Sequence, residues 1–222
     1  LLKIKHKIAN KLIYSKIKDK LGGRIKFFVS GGAPLSKEIA EFFASVDITI
    51  LEGYGLTETS PVLTVNSPIT GIRYGTVGKP LFNVEIKIAA DGEILAKGPN
   101  IMQSYFNNHS ATLEVFDDKG WFKTGDIGFL DNDNFLTITD RKKSLIVTSG
   151  GKNIAPSPLE GALLNSSYID QVIVIGDKRN FISALIVPNF EMLINFLTSK
   201  KINLSEPHAI IEHEKVIDLY NN

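Results

Sequence analysis

Apolar residues recur at two different spacings along the chain, and the changes between them mark its parts. In Leu1 to Leu21 (LLKIKHKIANKLIYSKIKDKL), Ile4, Ile8, Leu12 with Ile13, Ile17 and Leu21 fall at helical spacing and lysines fill the other face. An amphipathic helix is predicted, closed by Gly22-Gly23. A basic helix of this kind can make peripheral contact with an anionic membrane, whereas a single apolar stripe more often packs on a core, and the pattern leaves both uses open. Arg24 to Ser30 (RIKFFVS) reads as a strand, followed by Gly31-Gly32-Ala33-Pro34. Ser36 is placed to cap a helix over Lys37 to Ala44. Val46, Ile48, Thr49 and Ile50 then supply the β-branched side chains of a buried strand over Val46 to Leu51 that ends at Gly53. Strand, helix, strand makes a βαβ unit.

From Ser67 to Thr139 the texture shortens to alternating stretches such as Val84 to Ile88 (VEIKI) and Phe135 to Ile138 (FLTI), separated by turn signals at Asp91-Gly92 and Asp131 to Asn134. A small antiparallel β subdomain is predicted. Asp140-Arg141-Lys142-Lys143 is a charged break after its last strand. Beyond it, Leu145 to Thr148 is apolar, Ser149 to Asn153 turns, Pro158 to Asn165 looks helical, and Gln171 to Asp177 and Ile182 to Val187 read as a strand pair. Lys201 to Asn222 carries scattered helix formers. The expected fold class is therefore α/β plus α+β, with residues 1–140 in one domain and 141–222 in a second, small one.

Composition narrows the function classes. The formal net charge of +1 gives no reason to expect nucleic acid or an acidic polymer as partner. With no cysteine, disulfides and thiolate metal sites are excluded, which suits a reducing compartment such as the cytoplasm. No apolar run approaches the roughly 20 residues that span a bilayer, and Leu1 to Leu21 lacks the single apolar block of a secretory signal. The chain starts without Met and in mid-pattern, so a piece of a longer protein is expected.

Leu51 to Asn66 (LEGYGLTETSPVLTVN) concentrates small, aromatic, hydroxyl and acidic residues behind an apolar strand. A loop leaving the carboxyl end of a strand in an open α/β sheet borders the usual ligand crevice. Gly53 and Gly55 would let the backbone turn sharply and approach a ligand, and Tyr54 offers a flat face for a purine. Thr57 can donate to a phosphate oxygen, and Glu58 beside phosphates would hold Mg²⁺, which takes carboxylate, phosphate and water oxygens. An ordinary strand-to-loop turn with a surface Thr and Glu explains the bare Gly-Tyr-Gly pattern equally well.

The wider context resembles a known family. LEGYGLTETSP is similar to the YGxTE signature of the adenylate-forming, AMP-binding superfamily, and further matches follow in the family's order: VSGGAPLS at Val29 to Ser36, GTVGKPL at Gly75 to Leu81, GEILAKGPNIMQSYFNN at Gly92 to Asn108, GWFKTGDIG at Gly120 to Gly128, and DRKKSLIVTSGGKNIAPSPLE at Asp140 to Glu160. The wording of Gly22 to Ser36 and Asp140 to Pro156 looks most like the long-chain fatty acyl-CoA synthetase branch.

The resemblance implies the end of a large AMP-binding domain over 1–140 and a mobile, incomplete C-terminal domain over 141–222. It implies activation of a fatty acid with ATP and Mg²⁺ to an acyl-adenylate, then transfer to coenzyme A. Gly32, Ala33 and Pro34 would wall the adenine and acyl pocket, with Gly53, Tyr54 and Gly55 at the base. Asp126 would accept both ribose hydroxyls, Thr57 and Glu58 would serve the phosphates and their Mg²⁺, Arg141 would contact phosphate or ribose, and Gly150 and Gly151 would line the coenzyme A channel, unless they form a plain hairpin turn. Ser144 departs from the pattern, since related long-chain enzymes have an acidic residue there. The phosphate loop and a C-terminal lysine of the family have no match within this chain, so the chain alone is expected to be inactive. A ligase for another carboxylate and a non-catalytic nucleotide-binding homologue are the alternatives.

Overall fold

The computed structural model of the chain describes residues 14–221, so most of the predicted N-terminal helix lies outside the described residues; its last part is a helix over Ser15–Lys20. The chain divides into two compact units, with the division between Lys142 and Lys143.

The first unit opens with the predicted βαβ arrangement. Strand β1 (Phe27–Ser30) pairs in parallel with β2 (Thr49–Gly55), Phe27 opposite Thr49, and the Lys37–Ser45 helix connects them. Ser36 caps that helix, its Oγ accepting from the Ile39 amide at 3.4 Å, which satisfies one donor that the first turn leaves unpaired. Strands β3 (Val62–Val65) and β4 (Lys79–Pro80) extend this sheet antiparallel in the order β1-β2-β3-β4. Buried Asn66 closes the long β3–β4 connection, donating to Thr76 O at 2.6 Å and accepting from the Arg73 amide at 2.9 Å.

A second sheet is wholly antiparallel, in the order β5 (Glu85–Ile88), β6 (Glu93–Lys97), β7 (Phe122–Leu130) and β8 (Leu136–Arg141). Leu63, Ile94, Ala96 and Leu136 are fully buried, and with Val84 and Tyr54 they form the core shared by the two sheets. Every other residue of β7 from Phe122 to Gly128 is buried, the period-2 pattern of a strand with one face inward.

Two expectations change. Residues 53–55 continue β2, paired with β3 through Gly53 and Val65 and through Tyr54 and Thr64. A Cβ on Gly53 would lie 3.3 Å from Thr64 O, and one on Gly55 would lie 1.7 Å from Pro61 O. The glycines are needed for close approach of two backbones, and neither has a positive φ. The charged segment is also more structured than a bare joint, because Asp140 and Arg141 end β8 and a 3₁₀ turn over Lys142–Ser144 follows.

The second unit, taken by itself, is α+β. Two-residue strands β9 (Ile146–Val147) and β10 (Asn153–Ile154) form one antiparallel pair, and β11 (Ile169–Ile175) and β12 (Ser183–Pro188) form another. The Pro156–Leu164 helix packs against β11. Helices Phe190–Ser199, Pro207–Ile211 and Glu214–Asn221 bury Leu193, Leu197, Ile210 and Val216 in a separate core. The first of these begins at Asn189, whose Oδ1 accepts from the Met192 amide at 3.1 Å. Among the described residues no helix is long and apolar enough to cross a membrane.

Candidate active site

Strands β2, β7 and β8 converge on Asp126. The β6–β7 ladder runs with Glu93 opposite Ile127 and Leu95 opposite Lys123, so Thr124, Gly125 and Asp126 form a bulge facing Ile94 alone. A bulge of this kind re-aims side chains. Gly125 supplies the left-handed conformation the bulge requires, at φ 73°. Asp126 is buried, at 5% exposure, and stands directly opposite Arg141 in the β7–β8 pairing.

Both carboxylate oxygens of Asp126 are engaged. The Tyr54 hydroxyl donates to Oδ2 at 2.6 Å, and Arg141 Nε lies 3.3 Å from Oδ1. Burial raises the Asp126 pKa above the ordinary aspartate value, while the Tyr54 hydrogen bond and the Arg141 charge work in the opposite direction. Burial, reinforced by the neighbouring Asp126, also pushes the Tyr54 phenol up, so tyrosine is the donor of this pair. Each carboxylate oxygen keeps a second acceptor site, and the Arg141 side chain is 72% exposed.

Tyr54 is the residue whose surroundings differ most from the sequence reading. Its ring, expected to present a flat face to a purine, sits in the core with Leu63, Val84, Ile94, Ala96 and Leu136 at 9% exposure. Its place in β2 accounts for this, because the side chain alternates onto the face that the second sheet covers.

Thr57 and Glu58 follow β2 in a 3₁₀ turn over Thr57–Thr59. Thr57 is exposed and Glu58 half-buried. The turn is braced from residues 100–105: Asn100 Nδ2 donates to Thr59 O and Val62 O at 2.8 Å each, and the Met102 amide donates to Glu58 O at 2.8 Å. Tyr105 Oη donates to Glu58 Oε1 at 2.8 Å, which orients the carboxylate. The described residues hold no cluster of three or more His, Cys, Asp or Glu able to bind a metal. A single carboxylate suits Mg²⁺ only where phosphate oxygens and water complete the shell.

Gly32, Ala33 and Pro34 are exposed in the loop after β1. Gly32 has φ 81°, and a Cβ on Gly31 would meet Gly53 O at 3.4 Å, so this loop runs beside β2. In the other unit Gly150 and Gly151 lie in the exposed β9–β10 turn, closed by the Gly151 amide donating to Thr148 O at 2.9 Å. Neither glycine would bring a Cβ within 4 Å of other atoms. A cavity of about 360 Å³ in that unit is lined by Phe196, Lys200, Lys215, Asp218 and Leu219 and includes none of the expected site residues.

Two contributors were not singled out in the sequence: Tyr105, which orients Glu58, and Glu93, whose Oε1 accepts from the Gly125 amide beside Asp126. Glu93 left a readable signal, an acidic residue opening the apolar run Ile94-Leu95-Ala96.

Residues 4–106 match the AMP-binding enzyme family, and residues 143–218 match the AMP-binding enzyme C-terminal domain. The chain belongs to the AMP-binding enzyme family. This AMP-binding enzyme segment is 48% identical over 186 residues to the long-chain-fatty-acid–CoA ligase FadD15 of Mycobacterium bovis, covering 84% of the chain and 31% of that protein. It is 36% identical to fatty acyl-CoA synthetase A of Dictyostelium discoideum, covering 94% of the chain and 34% of that protein. The chain thus spans about a third of the length of these relatives. Among solved structures it is similar to the O-succinylbenzoate coenzyme A synthetase of Bacillus subtilis in complex with AMP, with a TM-score of 0.67 and 38% identity over 74% of the chain and 36% of that one. The same enzyme with ATP and magnesium ion gives a TM-score of 0.66 and 35% identity, over 78% of the chain and 40% of that one.

Proposed function

We propose that the chain is a segment of a long-chain fatty acid–CoA ligase, with residues 1–140 closing its large AMP-binding domain and 141–222 starting its small C-terminal domain. The observation that carries this reading is the 48% identity to a long-chain ligase across 84% of the chain. The reaction joins a fatty acid carboxylate oxygen to the α-phosphorus of ATP with loss of pyrophosphate, after which the coenzyme A thiol attacks the acyl carbonyl and AMP leaves. Little of this is acid–base chemistry. Catalysis comes from holding the reacting groups in line and stabilising charge. The cysteine-free chain suits the reducing cytoplasm.

Asp126, already anchored by Tyr54 and Arg141, accepts from the ribose hydroxyls through its remaining acceptor sites. The loop of Gly32, Ala33 and Pro34 beside Gly53 and Gly55 forms a wall for the adenine and acyl groups, and Tyr54 acts on the nucleotide through Asp126. Thr57 donates to phosphate, and Arg141 presents cationic donors to it. Glu58, held by Tyr105, is the protein ligand for Mg²⁺, which supplies charge neutralisation at the phosphates when bound. Gly150 and Gly151 offer an unobstructed backbone to the pantetheine arm of coenzyme A.

The test is fatty-acid-dependent ATP–pyrophosphate exchange by the intact enzyme. Asp126→Ala is expected to cost about 1.5–3 kcal/mol in kcat/KM for ATP, the value of a hydrogen-bonded charged group. An unchanged rate overturns the assignment.

A further inference from the structure

The bulge that presents Asp126 leaves backbone donors without ladder partners. Opposite Ile94 alone, residues 124–126 cannot all reach strand carbonyls, and buried amides left unpaired are costly. The Asp126 amide is taken by Thr124 Oγ1 at 3.1 Å, and that hydroxyl donates to Ile94 O at 2.8 Å. The Gly125 amide is taken by Glu93 Oε1 at 3.0 Å. A side-chain carboxylate here stands in for a ladder carbonyl.

The second oxygen of the same carboxylate reaches across the sheet. Glu93 Oε2 accepts from Lys142 Nζ at 2.7 Å, and Lys142 also pairs with Asp91 Oδ2 at 2.6 Å. Asp91 closes the figure, its Oδ1 accepting from the Glu93 amide at 3.1 Å. Gly125 immediately precedes Asp126, and Lys142 immediately follows Arg141. Glu93 therefore ties together the two backbone segments whose side chains meet in the Asp126–Arg141 pair. It does so at 6% exposure. A buried ionised carboxylate is a poor source of stability, since apolar residues of similar volume commonly do as well or better. What its two oxygens do is hold geometry, one on the Gly125 amide and the other on Lys142.

We infer that Glu93, with Lys142 as its counter-ion, is a positioning residue for nucleotide binding: it fixes the bulge and the strand end so that Asp126 meets the ribose hydroxyls with Arg141 beside it. The inference rests on the proposed reading of Asp126 as the ribose acceptor. It predicts that Glu93 acts on ribose recognition without touching the nucleotide.

The experiment uses the intact ligase carrying Glu93→Ala, Glu93→Gln, Lys142→Met and Asp126→Ala. It measures KM for ATP and kcat in the exchange reaction, and affinities for AMP and for 2′,3′-dideoxy-AMP, which lacks the ribose hydroxyls. Glu93→Ala is expected to raise KM for ATP about tenfold and change kcat less, with AMP affinity falling and dideoxy-AMP affinity nearly unaltered. Glu93→Gln keeps an acceptor for Gly125 and should recover part of the loss. Lys142→Met, at an exposed position, should raise KM severalfold, and it keeps the test open if Glu93→Ala fails to fold. A lower melting temperature with the AMP to dideoxy-AMP preference intact in the Glu93 and Lys142 variants overturns the inference. If Asp126→Ala removes that preference in the same experiment, the ribose reading survives and the positioning role alone falls. If Asp126→Ala also keeps it, the ribose reading falls first.

Discussion

Glu52 carries a carboxylate into the interior of the first unit, where its Oε1 has no hydrogen-bond partner among the described residues. At 7% exposure, burial raises its pKa above the ordinary glutamate value, and a backbone hydrogen bond from Gly75 only partly opposes this. The folded chain therefore holds this proton more tightly than the unfolded one. Its contribution to stability is present below the ordinary glutamate value, about 4.3, and is lost as pH rises through the raised value. Glu52→Gln is expected to stabilise the chain at pH 7 by about 1–2 kcal/mol, the desolvation cost removed, with the gain vanishing near pH 4. Urea denaturation at the two pH values checks it, and equal midpoints for both proteins at pH 7 would refute it. The same strand shows what a single residue hides from the sequence. Asp126 was legible as a candidate because Thr-Gly-Asp stands in a motif, but nothing near Tyr54 announces that its hydroxyl is committed to a carboxylate 72 positions away.

At the scale of elements, alternation and helical spacing were enough to place the βαβ unit, the antiparallel second sheet and the β11–β12 pair, because each buries one face and repeats at the matching period. The end of β2 was not legible. Glycine reads as a turn signal locally, whereas Gly55 is needed because β3 crosses so near, a pairing the local pattern does not encode. Substitution exposes the difference. A Cβ on Gly78 would lie 1.9 Å from Val65 C and 2.0 Å from Asn66 N, at a φ of 81°. Gly55→Ala and Gly78→Ala are expected to destabilise by about 3–5 kcal/mol, the upper end for single substitutions. Gly150→Ala, with open space around its Cβ, should stay within about 0.5 kcal/mol. Melting temperatures of the three variants would separate the two classes, and a comparable loss in all three would contradict the account.

For the whole molecule, the division between Lys142 and Lys143 bears on protease access. The three basic residues there differ in their commitments. Arg141 ends β8 and meets Asp126, Lys142 is bound to Asp91 and Glu93, and Lys143 is exposed. Trypsin is therefore expected to cut after Lys143 before it cuts after Arg141 or Lys142, and before other sites between Arg24 and Lys200. Mass spectrometry of the first fragments decides this, and early cleavage elsewhere in that span with Lys143 protected goes against it. The sequence located this region by its charge cluster. Which of its cations were already spent required Asp91 and Glu93, acidic residues distant in sequence whose partners only the sheet order reveals.

The double duty of Glu93 also sets how freely two codons, 49 positions apart, can drift. Position 142 asks for a cation with reach, which arginine also supplies. Position 93 asks for a group that accepts from a backbone amide and attracts a cation at once, and lysine offers no acceptor at all. In a growth selection on saturation libraries, arginine should survive at 142, while 93 should keep glutamate with glutamine as its main substitute. Exchanging the two charges, Glu93→Lys with Lys142→Glu, should fail to restore growth, so an ion pair that looks reversible on paper is heritable in one orientation only.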